Sequence, residues 1–264
     1  MPFTAKVIPA NEWGATPAGP FRRTVPKFIV IHHTTNPNPP NDASKGNVEG
    51  GKKLARNIQQ FHMRDKGWLD SGHNFLNTTG GILLEGRQGT LSAAKQGMCI
   101  QSAHAAKQGN RLAGGNSSPG IENEGNFMNF EMGPKQWNSL VELCVSLCDS
   151  CNIHPQNIRG HREFSFTDCP GDVLFSQLPR LRQEVADKLG IHLDQDEPLL
   201  KLGSIGQDVI ELQQTLTEKG FSPGAIDGDF GENTRQAVIA FQRSAQLDDD
   251  GIVGPDTRKA LGLG

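Results

Sequence analysis

Two segments near the C-terminus spell the same pattern with a 23-residue offset. Asp227-Gly228-Asp229-Phe230-Gly231-Glu232-Asn233-Thr234-Arg235 returns as Asp250-Gly251-Ile252-Val253-Gly254-Pro255-Asp256-Thr257-Arg258. Each copy holds an Asp-Gly turn, a glycine, and an Asn-Thr or Asp-Thr pair that opens a helix with an arginine in its first turn. Upstream, Val209, Leu212 and Leu216 fall at helical spacing, and Gly220 stands where a left-handed cap would end that helix. Residues 199–264 are therefore expected to form a small three-helix module. Asp227 and Asp229 do not make a calcium loop, because Glu232 occupies the position that needs glycine and no glutamate closes the loop; they read as turn residues. Ahead of the module, Asp194-Gln195-Asp196-Glu197-Pro198 is acidic and contains proline, which marks a linker at 191–198 and leaves 1–190 for a larger domain.

Charge narrows the function. The 264 residues carry 26 Lys+Arg against 29 Asp+Glu, a net charge of −3. That balance gives no electrostatic footprint for nucleic acid or an anionic membrane. The longest apolar run, Phe28 to Ile31, is far too short to cross a bilayer. Five cysteines, an odd number, argue against a disulfide framework. No long heptad pattern demands a partner helix, so a monomer is expected. The opening Met-Pro-Phe-Thr-Ala-Lys has no basic stretch leading into an apolar one. The expectation is synthesis in the cytoplasm without a Sec leader.

The first 190 residues mix both hydrophobic periods. Phe28 to Ile31 is a β-type run ending in His32-His33; Leu54, Ile58 and Phe61 outline a helix face; Asn74–Leu76 and Ile82–Leu84 flank a turn at Thr78-Thr79-Gly80-Gly81. Pro134 opens a helix with the stripe Trp137, Leu140, Val141, Cys144, Leu147, Cys148, Cys151. Interleaved strands and helices imply an α/β fold, a mixed β-sheet flanked by helices. Cys144, Cys148 and Cys151 lie on the apolar stripe and read as packing residues, not ligands.

One segment points to chemistry: Gly160-His161-Arg162-Glu163-Phe164-Ser165-Phe166-Thr167-Asp168-Cys169-Pro170-Gly171-Asp172. Paired with His32-His33 it offers the nitrogen and sulfur donors that zinc takes. Alternation along a strand sends His32 and His33 to opposite faces, so one of them at most joins such a site; spacing alone does not choose which.

These residues carry a resemblance. Val30-Ile31-His32-His33-Thr34-Thr35, then Phe61-His62-Met63 with Gly67-Trp68-Leu69-Asp70-Ser71-Gly72-His73-Asn74, then Gly160-His161-Arg162 with Thr167-Asp168-Cys169-Pro170-Gly171-Asp172, are similar in order and content to the motifs of the zinc amidase 2 family, which includes the peptidoglycan-recognition proteins; Asn11-Glu12-Trp13-Gly14-Ala15 resembles the family's usual entry. The resemblance spans about residues 8 to 190 and implies the amidase 2 fold. Residues 199–264 resemble the peptidoglycan-binding type 1 domain.

The resemblance implies one Zn2+ per chain on His32, His161 and Cys169, a fourth position left for water, and peptidoglycan as partner and substrate. The bond cut would be the amide between N-acetylmuramic acid and L-alanine. Two neutral imidazoles and one thiolate leave a zinc site with one net positive charge, enough to acidify water and polarise a carbonyl. The departing amine needs a proton. His73 stands where many relatives place a tyrosine, and this chain has none. Glu122, in Gly120-Ile121-Glu122-Asn123-Glu124-Gly125, resembles the catalytic glutamate of wall-recycling amidases and ranks ahead of Glu124, with which alternation would make it share a face. Either His73 or Glu122 is the proton carrier. Thr167 is placed to stabilise an oxyanion, and Trp68, Asn74 and His104 to bind substrate; His62 and His154 read as ordinary helix or loop histidines. Two other functions remain on the same fold: a peptidoglycan receptor without chemistry, and a zinc peptidase cutting within the stem peptide. Action is expected at the cell wall or periplasm, reached by a non-Sec route.

Overall fold

The computed structural model describes residues 3–35, 46–191, 193 and 199–263. The chain divides into two units, Met1–His192 and Leu193–Gly264. The expected linker at 191–198 lies outside the described residues except for Ile191 and Leu193.

The first unit runs through β1 (Val7–Ile8), α1 (Ala10–Trp13), β2 (Arg23–Thr24), β3 (Ile29–His33), α2 (Val48–Arg64), β4 (Phe75–Asn77), β5 (Leu83–Glu85), α3 (Thr90–Ala94), β6 (Cys99–Ile100), β7 (Gly120–Asn123), α4 (Pro134–Cys151), β8 (Ile158–Gly160), α5 (Asp172–Ser176) and α6 (Leu178–Leu189). Six strands make one sheet in the order β1-β5-β4-β7-β3-β8, while β2 and β6 pair separately. β3 is parallel to both its neighbours, β7 and β8; β4 is parallel to β7 and antiparallel to β5. The sheet is thus mixed and carries helices on its faces. Its central strand β3 is buried along its whole length, which is why Ile29-Val30-Ile31 is a continuous apolar run instead of an alternating one.

Strand alternation sorts the core into two. Ile29, Ile31, Phe75, Leu83 and Ile121 face Leu140, Leu147 and Val185 of α4 and α6. Cys144, Cys148 and Cys151 belong to this apolar layer, and burial raises all three thiol pKa values, that of Cys148 to about 12. On the other face Leu76 and Leu84 meet Ala10, Trp13 and Ala55. Here α2 departs from expectation. Gly51, Ala55, Gln59 and His62 form its buried face, and Phe61 is 49% exposed. Polar partners decide the orientation: Gln59 Nε2 donates to Thr16 O and to Asp70 Oδ1, and His62 Nδ1 accepts from Gly72 N–H. Buried donors and acceptors that find partners outweigh one exposed phenyl ring.

In the second unit, α7 (Gln207–Glu218), α8 (Glu232–Ser244) and α9 (Pro255–Leu261) surround Val209, Leu212, Leu216, Phe230, Val238, Phe241 and Val253. The repeat has a physical cause. Gln213 Nε2 donates to Asp227 Oδ1, Asp229 O and Thr234 Oγ1, and its Oε1 accepts from the Asp227 and Gly228 N–H groups. Gln242 repeats the clamp on Asp250 Oδ1, Ile252 O, Thr257 Oγ1 and Gly251 N–H. Each Asp-Gly turn is pinned to the helix before it, and Asp227 Oδ1 also accepts from Asp229 N–H, as turn chemistry requires.

Candidate active site

Sheet register builds the site. His32 pairs with Glu122 across β3 and β7. Register neighbours in parallel strands point to one face, so the two side chains stand together at the carboxyl ends of their strands, where open α/β sheets place their ligand sites. β8 ends in a 3-10 turn, His161–Glu163, which adds His161. Cys169 arrives on the turn closed by Gly171 N–H to Asp168 O. Gly171 has φ +93°, and a Cβ there would lie 2.3 Å from the Phe127 carbonyl carbon; only glycine lets this turn come so close to the chain leaving β7.

The donor atoms of His32, His161 and Cys169 all lie within 4.8 Å of one another. His32 Nδ1 is 3.7 Å from Cys169 Sγ, and the His33 backbone N–H donates to the same sulfur at 3.4 Å. The His33 ring turns away, its Nδ1 accepting from Phe127 N–H, so the strand itself settles which of the two histidines joins the cluster. Burial, followed by the charge of His73, holds His32 well below its ordinary pKa and brings His161 to about 4. Both are neutral imidazoles at neutral pH, with lone pairs free to donate. Burial pushes the Cys169 thiol up, so a thiolate there calls for a cation beside it. Two imidazoles and one sulfur fit a tetrahedral zinc ion with one open position.

His73 Nδ1 stands 2.5 Å from Glu122 Oε2, with both side chains almost buried. Burial alone would raise the Glu122 carboxyl pKa; the charge of His73 beside it outweighs that and keeps it below the usual carboxylate value. Its second oxygen, Oε1, is buried without a hydrogen-bond partner among the described residues. The loop carrying His73 is fixed from below: Asp70 accepts from the Ser71 and Gln88 N–H groups, and Arg87 Nε donates to Ser71 O. Glu124 does not share this position. β7 ends at Asn123, and Glu124 Oε2 instead accepts from the Thr79 N–H and hydroxyl. Thr167 Oγ1 accepts from Cys169 N–H, which ties it to the turn beside the cluster. Trp68 is half-buried and stacks on His62 with ring centroids 4.7 Å apart.

Two of the residues expected to bind substrate do other work. Asn74 is fully buried; its Nδ2 donates to Thr90 Oγ1 and Ile100 O, and its Oδ1 accepts from Gly120 N–H. It joins the start of β4 to the start of β7. His104 is 5% exposed and sits behind His32, with both ring nitrogens hydrogen-bonded. His62, expected to be an ordinary helix histidine, lies at the site with its ring centroid 5.7 Å from that of His73. Its place within Phe61-His62-Met63 was the available signal.

A family model described as N-acetylmuramoyl-L-alanine amidase matches residues 22–172, and one described as a peptidoglycan binding domain matches residues 205–261. Peptidoglycan recognition protein 1 of Bos indicus is 26% identical over 184 residues, 67% of this chain and 86% of its own length. N-acetylmuramoyl-L-alanine amidase CwlL of Bacillus licheniformis is 32% identical over 137 residues, 46% of this chain and 38% of its own length. Among solved structures, wild-type Drosophila PGRP-LB shares the fold, with a TM-score of 0.53 at 23% identity over 66% of this chain and 93% of that one. The amidase match spans more than half of the 264 residues, and the chain belongs to the N-acetylmuramoyl-L-alanine amidase family, with a peptidoglycan binding domain behind its amidase domain.

Proposed function

We propose that the chain is a zinc-dependent N-acetylmuramoyl-L-alanine amidase that cleaves the amide between N-acetylmuramic acid and L-alanine in peptidoglycan, and that its second unit anchors it to the cell wall. The observation that carries this reading is the convergence of His32, His161 and Cys169 donor atoms within 4.8 Å, beside a buried His73–Glu122 pair. Zinc bound there would supply a Lewis acid for the amide carbonyl and for water. The other steps belong to the chain's own groups. Glu122, ionised, fixes the His73 ring through Nδ1 and leaves Nε2 to take a proton from the attacking water. The protonated ring, stabilised by the carboxylate, then returns that proton to the departing amine. Thr167 keeps a hydroxyl proton to offer to developing negative charge, since its oxygen is engaged as an acceptor.

A receptor without chemistry would have no use for a sulfur donor facing two imidazoles or for a carboxylate buried against a histidine. Digestion of purified sacculi, with and without a zinc chelator, distinguishes the two by mass spectrometry. Free stem peptides beginning at L-alanine, lost on chelation, are expected. Protein that pellets with the sacculi and releases nothing would make it a receptor. Peptides cut within the stem would make it a peptidase.

A further inference from the structure

We infer that His104 is a positioning residue that fixes the tautomer of His32, so that Nδ1 is the nitrogen His32 presents to the metal; this rests on the zinc site proposed above. Ser118 O, 3.0 Å from His104 Nε2, can only accept, so His104 Nε2 carries the hydrogen. A neutral imidazole has one such hydrogen, which leaves His104 Nδ1 a bare acceptor. That atom lies 2.9 Å from His32 Nε2, so the hydrogen of His32 is on Nε2. The lone pair of His32 is then on Nδ1, the atom that faces Cys169 Sγ at 3.7 Å. One carbonyl thus sets the donor atom two rings away.

The surroundings are shaped for this ring. Gly120, at the start of β7, leaves the space it fills: a Cβ there would lie 2.5 Å from His104 Cδ2 and Nε2. Asn74 Oδ1 holds the Gly120 N–H, which keeps the strand start in place. The His104 and His32 rings meet edge to face at 4.8 Å between centroids. Outer partners of ligating histidines act in this manner, fixing tautomer and ring orientation, and their loss typically costs about ten- to a hundred-fold in metal affinity.

The test reads the tautomers directly on metal-free protein. Long-range proton–nitrogen correlation spectra of the full chain with 15N-labelled histidine should show His104 and His32 both protonated at Nε2. His104→Leu should let His32 sample both tautomers and weaken zinc binding, measured by chelator competition, by about ten- to a hundred-fold. His104→Asn, whose Oδ1 takes the place of Nδ1, should restore zinc affinity to within a few-fold. Protonation of His32 at Nδ1 in the wild type, or unchanged zinc affinity in His104→Leu, overturns the inference. Should His104→Leu fail to fold, the wild-type tautomers and the asparagine variant still decide. A wild-type chain that takes up no zinc would sink the metal centre itself, and that failure is separable because the tautomers are read without metal.

Discussion

His73 Nδ1 and Glu122 Oε2 meet at 2.5 Å, one residue on a loop before β4 and the other in the middle of the sheet. The contact brings together the two candidates between which the sequence does not choose. On the proposed mechanism neither residue carries the proton alone, because the carboxylate facing Nδ1 leaves Nε2 as the nitrogen that exchanges a proton. Removing either member should therefore disable the same step. Glu122→Gln and His73→Ala are each expected to lower turnover of a soluble muropeptide by about a hundred- to ten-thousand-fold while keeping full zinc content. The double variant should be no worse than the poorer single one, since groups acting as a unit are not additive. Multiplying losses in the double variant would separate their roles.

Cys169 contributes the sulfur donor of the cluster, and its backbone turn depends on Gly171 and not on the thiol. Cys169→Ala is expected to fold, to lose zinc on dialysis, and to release no stem peptides from sacculi. Its retention on sacculi should match the wild type. Zinc retained at one equivalent by this variant would move the metal centre elsewhere.

Buried neutral histidines make the metal-free protein sensitive to acid. Burial, then the charge of His73, lowers the His62 pKa from 6.5 to about 4. Below about pH 6.5 the unfolded chain binds a proton that the folded chain refuses, so stability falls as pH drops from 6.5 towards 4. His62 alone accounts for roughly 2–3 kcal/mol at the end of that window. Denaturant titrations of chelated protein at pH 7 and pH 4.5 should show the loss, and His62→Asn should reduce it. Equal midpoints at the two pH values would contradict the burial of a neutral ring.

The repeat of the second unit makes an energetic claim of its own. Gln213 is 1% exposed and serves both the Asp227-Gly228 turn and Thr234. Gln213→Leu would strand several buried polar groups, at about 1–3 kcal/mol each before relaxation. Thermal unfolding of residues 193–264 should shift down by several degrees or more, and Gln242→Leu should do the same. A shift for one glutamine alone would mean that the two clamps are not equivalent.

What the sequence reveals, and what it hides, follows from the range of the forces involved. The β3 run, the α4 stripe and the Asp-Gly turns are written in local periodicity and backbone chemistry, which adjacent residues settle between themselves. His32, His161 and Cys169 stand in recognisable local motifs, although only the pairing of β3 with β8 and the turns that follow β8 bring them within reach of one another. The histidines at the edge of that cluster are different. Whether His62, His73 or His104 touches substrate or supports another ring depends on which carbonyl, amide or carboxylate meets it in space. Glu122 Oε2 reaches its ring from β7 in the sheet and Ser118 O from the segment between β6 and β7, and no spacing rule contains that information. The place of Asn74 is hidden for the same reason: its neighbours along the chain say nothing of Thr90, Ile100 and Gly120. The buried face of α2 shows it once more, since Gln59 and His62 are drawn inward by partners remote in sequence while Phe61 is left outside.

Separate cores in the two units, one around β3 and α4 and the other around α7 and α8, lead to the last prediction. A chain ending at residue 192 keeps every residue of the His32–His161–Cys169 cluster and its supports. It should therefore hydrolyse soluble muropeptides at a rate within about two-fold of the full protein. On insoluble sacculi the same truncation should lose most of its retention and much of its rate, because tethering raises local substrate concentration without altering the catalytic groups. The comparison is a pull-down on sacculi beside a soluble-fragment assay. Equal loss in both assays would assign the second unit a structural role in the amidase domain, and no loss in either would remove its role as an anchor.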